Sequence, residues 1–188
     1  TLDLANRHGA FIASQPGATP LLPDPNFHRT VILLIEHNED GALGIVLNRP
    51  RLVGGAEAVP HWGDLLRPPG FLHEGGPVSE DSVIGIALGP DDGADGLAPL
   101  FGRVGILDLH RQPDEVPGVE AVRLFAGYAG WTGGQLEDEM AYGSWFILEA
   151  ESDDVLTDDP EGLWERVLAR QEGLLGRVAE YPEDPSVN

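Results

Sequence analysis

At 188 residues and a formal net charge of -21, the chain is long enough for one well-buried domain, and its field repels the phosphates of DNA and RNA. It contains no cysteine, which excludes disulfides, thiolate zinc sites and cysteine nucleophiles. All eleven basic residues are arginines, so a Walker-A loop, a Schiff-base enzyme and a Ser–Lys hydrolase, each of which needs the lysine amine, are excluded too.

In chain order, Gly9 to Ser14 reads as a short apolar strand, followed by a loop punctuated by Pro16, Pro20, Pro23 and Pro25. Val31 to Glu36 is a near-continuous β-branched run, the mark of a strand buried on both faces. His37 to Gly41 reads as a turn, Leu43 to Leu47 as the returning strand, and Asn48-Arg49-Pro50 as its close. Gly54 and Gly55 mark a loop, and Trp62 to Leu66 a short helix behind Pro60. Glu74-Gly75-Gly76-Pro77-Val78 is a sharp corner, Val83–Leu88 and Arg103–Leu107 are strands, and an acidic glycine loop lies at Asp91–Gly96. Val122–Ala126 is a strand that feeds a glycine-rich turn from Gly127, and a helix follows over Gln135–Tyr142. Ser144–Glu149 is a further strand. Asp159-Pro160 reads as an N-cap with proline at the first helical position, and Leu163, Trp164, Val167, Leu168, Leu174 and Leu175 give that helix one apolar face. Strands outnumber helices without alternating with them, so the expected class is α+β: a single domain over residues 1–180 with a loose tail at 181–188.

The glycine-rich segment is the strongest local signal. Gly127, Gly130 and Gly133 recur every third residue, Gly134 follows directly, and the helix start beyond them can present free amides to an anion. Gly130, Trp131, Gly133, Gly134 and Gln135 are therefore candidate ligand-binding residues. The commoner use of such glycines is close strand–helix packing, with Glu137 and Glu139 satisfying the helix start from within. Asn48 and Arg49 are a second candidate pair, able to hold a carboxylate or phosphate through charge-assisted hydrogen bonds, although the commoner role of such an arginine, and the favoured one here, is to neutralise one of the chain's many acids. Glu36-His37 and His73-Glu74 carry acid–base chemistry in type, but no spacing forces them into one catalytic arrangement, so no catalytic residue is assigned. Asp91-x-Gly93-x-Asp95-Gly96 fails as an EF-hand, because Gly93 replaces an oxygen ligand and Gly102 stands where the bidentate glutamate belongs. The six histidines show no zinc spacing, so neither a metal nor a cofactor is expected.

Three blocks together point further. Phe27-x-Arg29-Thr30-Val31 with His37-x-x-x-Gly41-Ala42-x-Gly44-x-x-Leu47-Asn48-Arg49-Pro50, then Gly75-Gly76-Pro77-Val78, then Gly127-Tyr128-Ala129-Gly130-Trp131-x-x-Gly134-Gln135-Leu136-Glu137-x-Glu139 closing with Trp145, resemble the AlgH/YqgE family of bacterial proteins. The resemblance runs from about Leu4 to Leu168. It implies a coiled, mainly antiparallel sheet with flanking helices in a cytoplasmic protein. It carries no agreed activity or catalytic residues, although family members are often labelled transcriptional regulators.

The leading expectation is a non-enzymatic cytoplasmic protein that binds a protein partner or a small molecule, with an indirect regulatory role. No run approaches the ~20 apolar residues of a membrane span, and no export signal is visible in these residues. The alternatives are a small-anion binding domain or enzyme built on the Gly133–Gln135 helix start, and a direct DNA binder. The DNA reading requires Arg29, Arg49, Arg51 and Arg67 to gather into one basic patch against the charge of -21.

Overall fold

The structure, a computed structural model, describes residues 9–15, 27–171 and 173–180. The proline loop through Pro16, Pro20, Pro23 and Pro25 and the tail from Tyr181 lie outside the described residues, as do the side chains of Leu174 and Leu175.

The chain opens with β1 (Ala10–Ser14), β2 (Val31–Asn38), β3 (Gly41–Val46) and β4 (Pro50–Gly54), then α1 (Gly55–Ala58) and a 3-10 turn at Pro60–Leu65. Next come β5 (Phe71–Glu74), β6 (Val78–Leu88), β7 (Leu97–Phe101), β8 (Val104–Leu107) and β9 (Ala121–Thr132). The last elements are α2 (Gln135–Ala141), β10 (Trp145–Glu149), α3 (Ser152–Val155), α4 (Leu163–Ala169) and α5 (Leu174–Val178). The strands form one curled sheet in the order β10-β1-β2-β3-β9-β6-β8-β7, with β5 added to β9 and β4 to β5. Every strand pairing is antiparallel except β5 with β9. Flanking helices over such a sheet make the class α+β, as the strand-rich sequence and the family resemblance lead one to expect.

The curl comes from the twelve-residue β9. Its first half pairs with β6 and with β5, and its last four residues, Ala129 to Thr132, pair with β3. Gly127, at φ +72°, stands where the pairing changes. A side chain there would meet the Gly76 carbonyl oxygen at 2.5 Å, so two glycine blocks far apart in sequence are forced together by one close backbone approach. At the same place β3 and β5 meet end to end, since Val46 N–H donates to the Gly75 carbonyl and Gly75 N–H to that of Ala126.

Strands covered on both faces divide their apolar residues by period two. Phe11, Ala13, Val31 and Leu33 point to one side, where α4 covers them with Leu163, Trp164, Val167 and Leu168. Ile12, Ile32 and Leu34 point to the other, against Trp131, Trp145 and Leu136 of α2. A third apolar cluster joins Trp62, Leu72, Val122 and Leu124 under the 3-10 turn. Trp164 is fully buried and donates from Nε1 to the Ser14 carbonyl at 2.9 Å, so the apolar face of this helix is core.

Four sequence expectations are corrected. The glycine-rich segment is not a turn from Gly127 onward: β9 continues to Thr132, and only Gly133 and Gly134 turn. Pro50 opens a strand instead of ending pairing, as proline can at the first residue of an edge strand. Gly54 and Gly55 close β4 and begin α1, not a loop. Asp159 does not cap a helix that starts at Pro160; its Oδ1 accepts from Gly162 N–H at 3.2 Å, and α4 begins one residue later.

Candidate functional site

The end-to-end junction of β3 and β5 builds a polar cleft of about 390 Å³. Two of the candidate residues, Asn48 and Arg49, lie in its wall, between Arg29 and His28 on one side and Pro50 and Glu74 on another. Glu165 of α4 and Glu161 from the turn just before that helix complete it.

Each wall residue is held by a local cause. Arg29 has φ +48°, a conformation uncommon for a long side chain, and Asn48 fixes it. Asn48 Nδ2 donates to the Arg29 carbonyl at 2.8 Å, while its Oδ1 accepts from Val31 N–H at 2.9 Å. Asn48 is thus spent on the backbone. Arg29 Nη1 donates to Glu165 Oε1 at 2.7 Å, and its guanidinium lies 4.8 Å from the Trp164 ring centroid. Arg49 donates from Nη2 to the His28 carbonyl, and its Nε–H is shielded from solvent without an acceptor among the described residues. Glu74 is drawn alongside because its N–H donates to the Arg49 carbonyl at 2.7 Å. Glu161 forms no ion pair among the described residues, so the cleft holds an arginine donor facing carboxylate acceptors.

The other candidates, Trp131, Gly133, Gly134 and Gln135 with Gly130 just before them, lie at the opposite end of β3, where Gly41 pairs with Thr132. The seven residue steps from Gly41 to Asn48 correspond to roughly 20 Å at the rise of an extended chain. The cleft beside α2, about 340 Å³, shares no lining residue with the first. Here the side chains serve one another. Gln135 Oε1 accepts from Thr132 N–H at 3.1 Å, and Gln135 Nε2 donates to Glu139 Oε1 at 3.0 Å. Glu139 Oε2 accepts the indole N–H of Trp131 at 2.9 Å and that of Trp145 at 2.8 Å. Glu137 lies 2.6 Å from buried His37. A Cβ on Gly133 would come within 2.5 Å of the Glu39 carbonyl, so glycine lets α2 approach the β2–β3 turn. Asp138 and Glu139 line this cleft, and carboxylates oppose an incoming anion.

His73 and Arg123 are both buried polar residues; the sequence marks His73 beside Glu74 as acid–base in type, while Arg123 within Val122-Arg123-Leu124-Phe125 carries no motif. His73 is fully buried beside Phe125, with Nδ1–H donating to the Phe71 carbonyl at 3.0 Å. Burial, and then the Arg123 charge, push its pKa down to about 4. Arg123 donates to the Thr157 and Pro68 carbonyls, and burial lowers its pKa to about 10. Glu161 and Glu165 also went unanticipated, because no spacing links them to Arg49. In the acidic glycine loop, Asp91 lies 3.4 Å from Arg103 and Asp95 2.7 Å from Arg111. No group of three or more His, Asp or Glu residues among the described ones could hold a metal, and no described helix is long and apolar enough to cross a membrane.

Comparison with known proteins supplies the relationship. The chain is similar to a UPF0301 protein of Streptomyces coelicolor, 49% identical over 177 residues that cover 91% of this chain and 92% of that one. A UPF0301 protein of Thermobifida fusca is 43% identical, covering 91% and 92%. The crystal structure of a Corynebacterium diphtheriae protein superposes with a TM-score of 0.83 at 29% identity, covering 96% of this chain and 95% of that one. The solution structure of the AlgH protein from Pseudomonas aeruginosa gives 0.61 at 26% identity, covering 92% and 99%. The AlgH-like family model matches residues 17–176, so the three sequence blocks and the curled sheet have one explanation: the chain belongs to the AlgH-like family.

Proposed function

We propose that this chain acts by binding and not by catalysis, and that its ligand is a small zwitterion whose carboxylate meets Arg49 and whose ammonium meets Glu161. The observation that carries the reading is Arg49 itself: a guanidinium in a cleft wall, with a shielded Nε–H lacking an acceptor, opposite carboxylates. An unsatisfied charged donor of that kind gains most from a ligand carboxylate, because ionic hydrogen bonds are roughly twice as strong as neutral ones.

A regulatory role, suggested by the family, is exercised in this reading through a protein partner in the cytoplasm. Direct DNA contact is disfavoured by charge and by pairing. Of the four arginines that a basic patch requires, Arg29 is paired with Glu165, Arg51 lies near Glu74 and Glu80, and Arg67 sits 3.3 Å from Asp158. A gel shift at physiological salt is expected to show no retardation.

Thermal-shift measurements with glycine, glutamate, glycylglycine and succinate test the binding reading. A ligand at a hundredfold excess over its Kd stabilises by about 2.7 kcal/mol, a rise of about 5–10 °C in Tm for a chain of this size. Arg49→Gln is expected to abolish the rise, measured against its own ligand-free Tm, and Glu161→Gln to remove it for the amino compounds only. Absence of any rise, or equal rises in both variants, contradicts the reading.

A further inference from the structure

Five large apolar side chains are exposed among the described residues, and four of them belong to one region: Leu52, Val53, Phe71 and Val78. Leu52 is 96% exposed. β4 and β5 pair with Pro50 opposite His73 and Gly54 opposite Phe71, so residues 51–53 bulge from the ladder between these two pairs, and Arg51 reaches Glu74 at 3.7 Å and Glu80 at 3.6 Å. Those contacts bring the start of β6 beside the same strip. β4 has β5 as its one strand neighbour among the described residues, so its other edge offers backbone N–H and C=O groups to no ladder. An open edge with apolar side chains is a template for a further strand.

Charge selects the occupant. Glu57 lies over Gly54, Glu74 and Glu80 border Arg51, and Asp81 follows, so the rim is mainly acidic and its one central arginine already faces carboxylates. A second copy of this chain would bring the same rim and a further charge of -21. We propose that the β4 edge takes up an extended segment of another protein, one in which apolar residues alternate with lysine or arginine, as an added strand. Because successive side chains of a strand point to opposite faces, its apolar side chains lie along Leu52 on one face and its basic ones meet Glu74 and Glu80, beside Arg51, on the other. This proposal stands on the edge strand and does not depend on the Arg49 cleft.

The test uses the full chain and a fluorescein-labelled peptide of three Val-Lys repeats, with three Val-Glu repeats as control. Anisotropy is expected to show the lysine peptide binding at least tenfold more tightly than the glutamate peptide, with the difference shrinking in high salt. Leu52→Ser, at a fully exposed position and checked by circular dichroism for an intact fold, is expected to weaken binding about tenfold. Amides of residues 51–53 should gain protection from hydrogen exchange when the peptide is present. Equal binding of both peptides, undiminished binding by Leu52→Ser, or protection confined to other strands would overturn the proposal. So would sedimentation showing a dimer that Leu52→Ser dissolves, because the occupant would then be a second copy.

Discussion

At Glu139 a single carboxylate oxygen accepts two indole N–H groups from Trp131 and Trp145, both nearly buried. Removing the acceptor leaves two shielded donors unpaired, so Glu139→Ala is expected to lower stability by about 3 kcal/mol in urea unfolding. The exposed neighbour Asp138→Ala should stay within about 0.5 kcal/mol. A similar loss for both would mean that the indole contacts contribute little. His73 makes the second prediction at this scale. Its folded pKa of about 4 lies below the ordinary 6.5, so as pH falls the unfolded chain takes up this proton first. Its contribution to stability is constant above about pH 6.5, falls as pH drops toward 4, and ends about 3 kcal/mol lower. His73→Leu should flatten that part of the profile relative to wild type. An unchanged slope would show that His73 is not the group responsible. Residues of this kind were legible as types but not as partners. Glu137 and Glu139 announced themselves beside the helix start, yet what they hold, His37 and two tryptophans, is fixed only by the fold.

Among elements, β9 carries the architecture, since it pairs with β3, β5 and β6 and changes partner at Gly127. Gly127→Ala would require a left-handed conformation and a contact of 2.5 Å with the Gly76 carbonyl, so a loss of about 2–4 kcal/mol is expected from thermal or urea unfolding. A neutral result would mean that the corner can open without cost. The sequence displayed this region through its glycines, but their spacing suggested a turn because a strand rich in glycine lacks the apolar alternation that marks strands. Runs buried on both faces, such as Val31–Leu34, were plain from their continuous apolar character. β4 was not, because Pro50 and two neighbouring glycines carry loop chemistry, and only the pairing with β5 makes the segment extended. The start of α4 was misplaced for a related reason: Asp159-Pro160 is a true turn signal, whose helix begins after the turn.

For the whole molecule the charge of -21 opposes compaction, while seven arginines among the described residues are drawn into local ion pairs. If screening of that repulsion is worth about 1 kcal/mol, 0.5 M sodium chloride raises Tm by about 3 °C. A fall instead would show that the arginine–carboxylate pairs outweigh the repulsion. Half of the candidate site, Asn48-Arg49, was legible as a strand-end donor pair, whereas Glu161 and Glu165 reach it only when α4 and the turn before it, from the far end of the chain, pack across β1. The proposed ligand site is the Arg49 cleft and not the glycine-rich helix start. Its most direct test is a titration of the isotope-labelled full chain with glycylglycine, followed by amide chemical shifts. Perturbations gathered at residues 28–29, 48–49, 74 and 161–165 are the predicted result; shifts confined to residues 132–144, or none at saturating dipeptide, would contradict it.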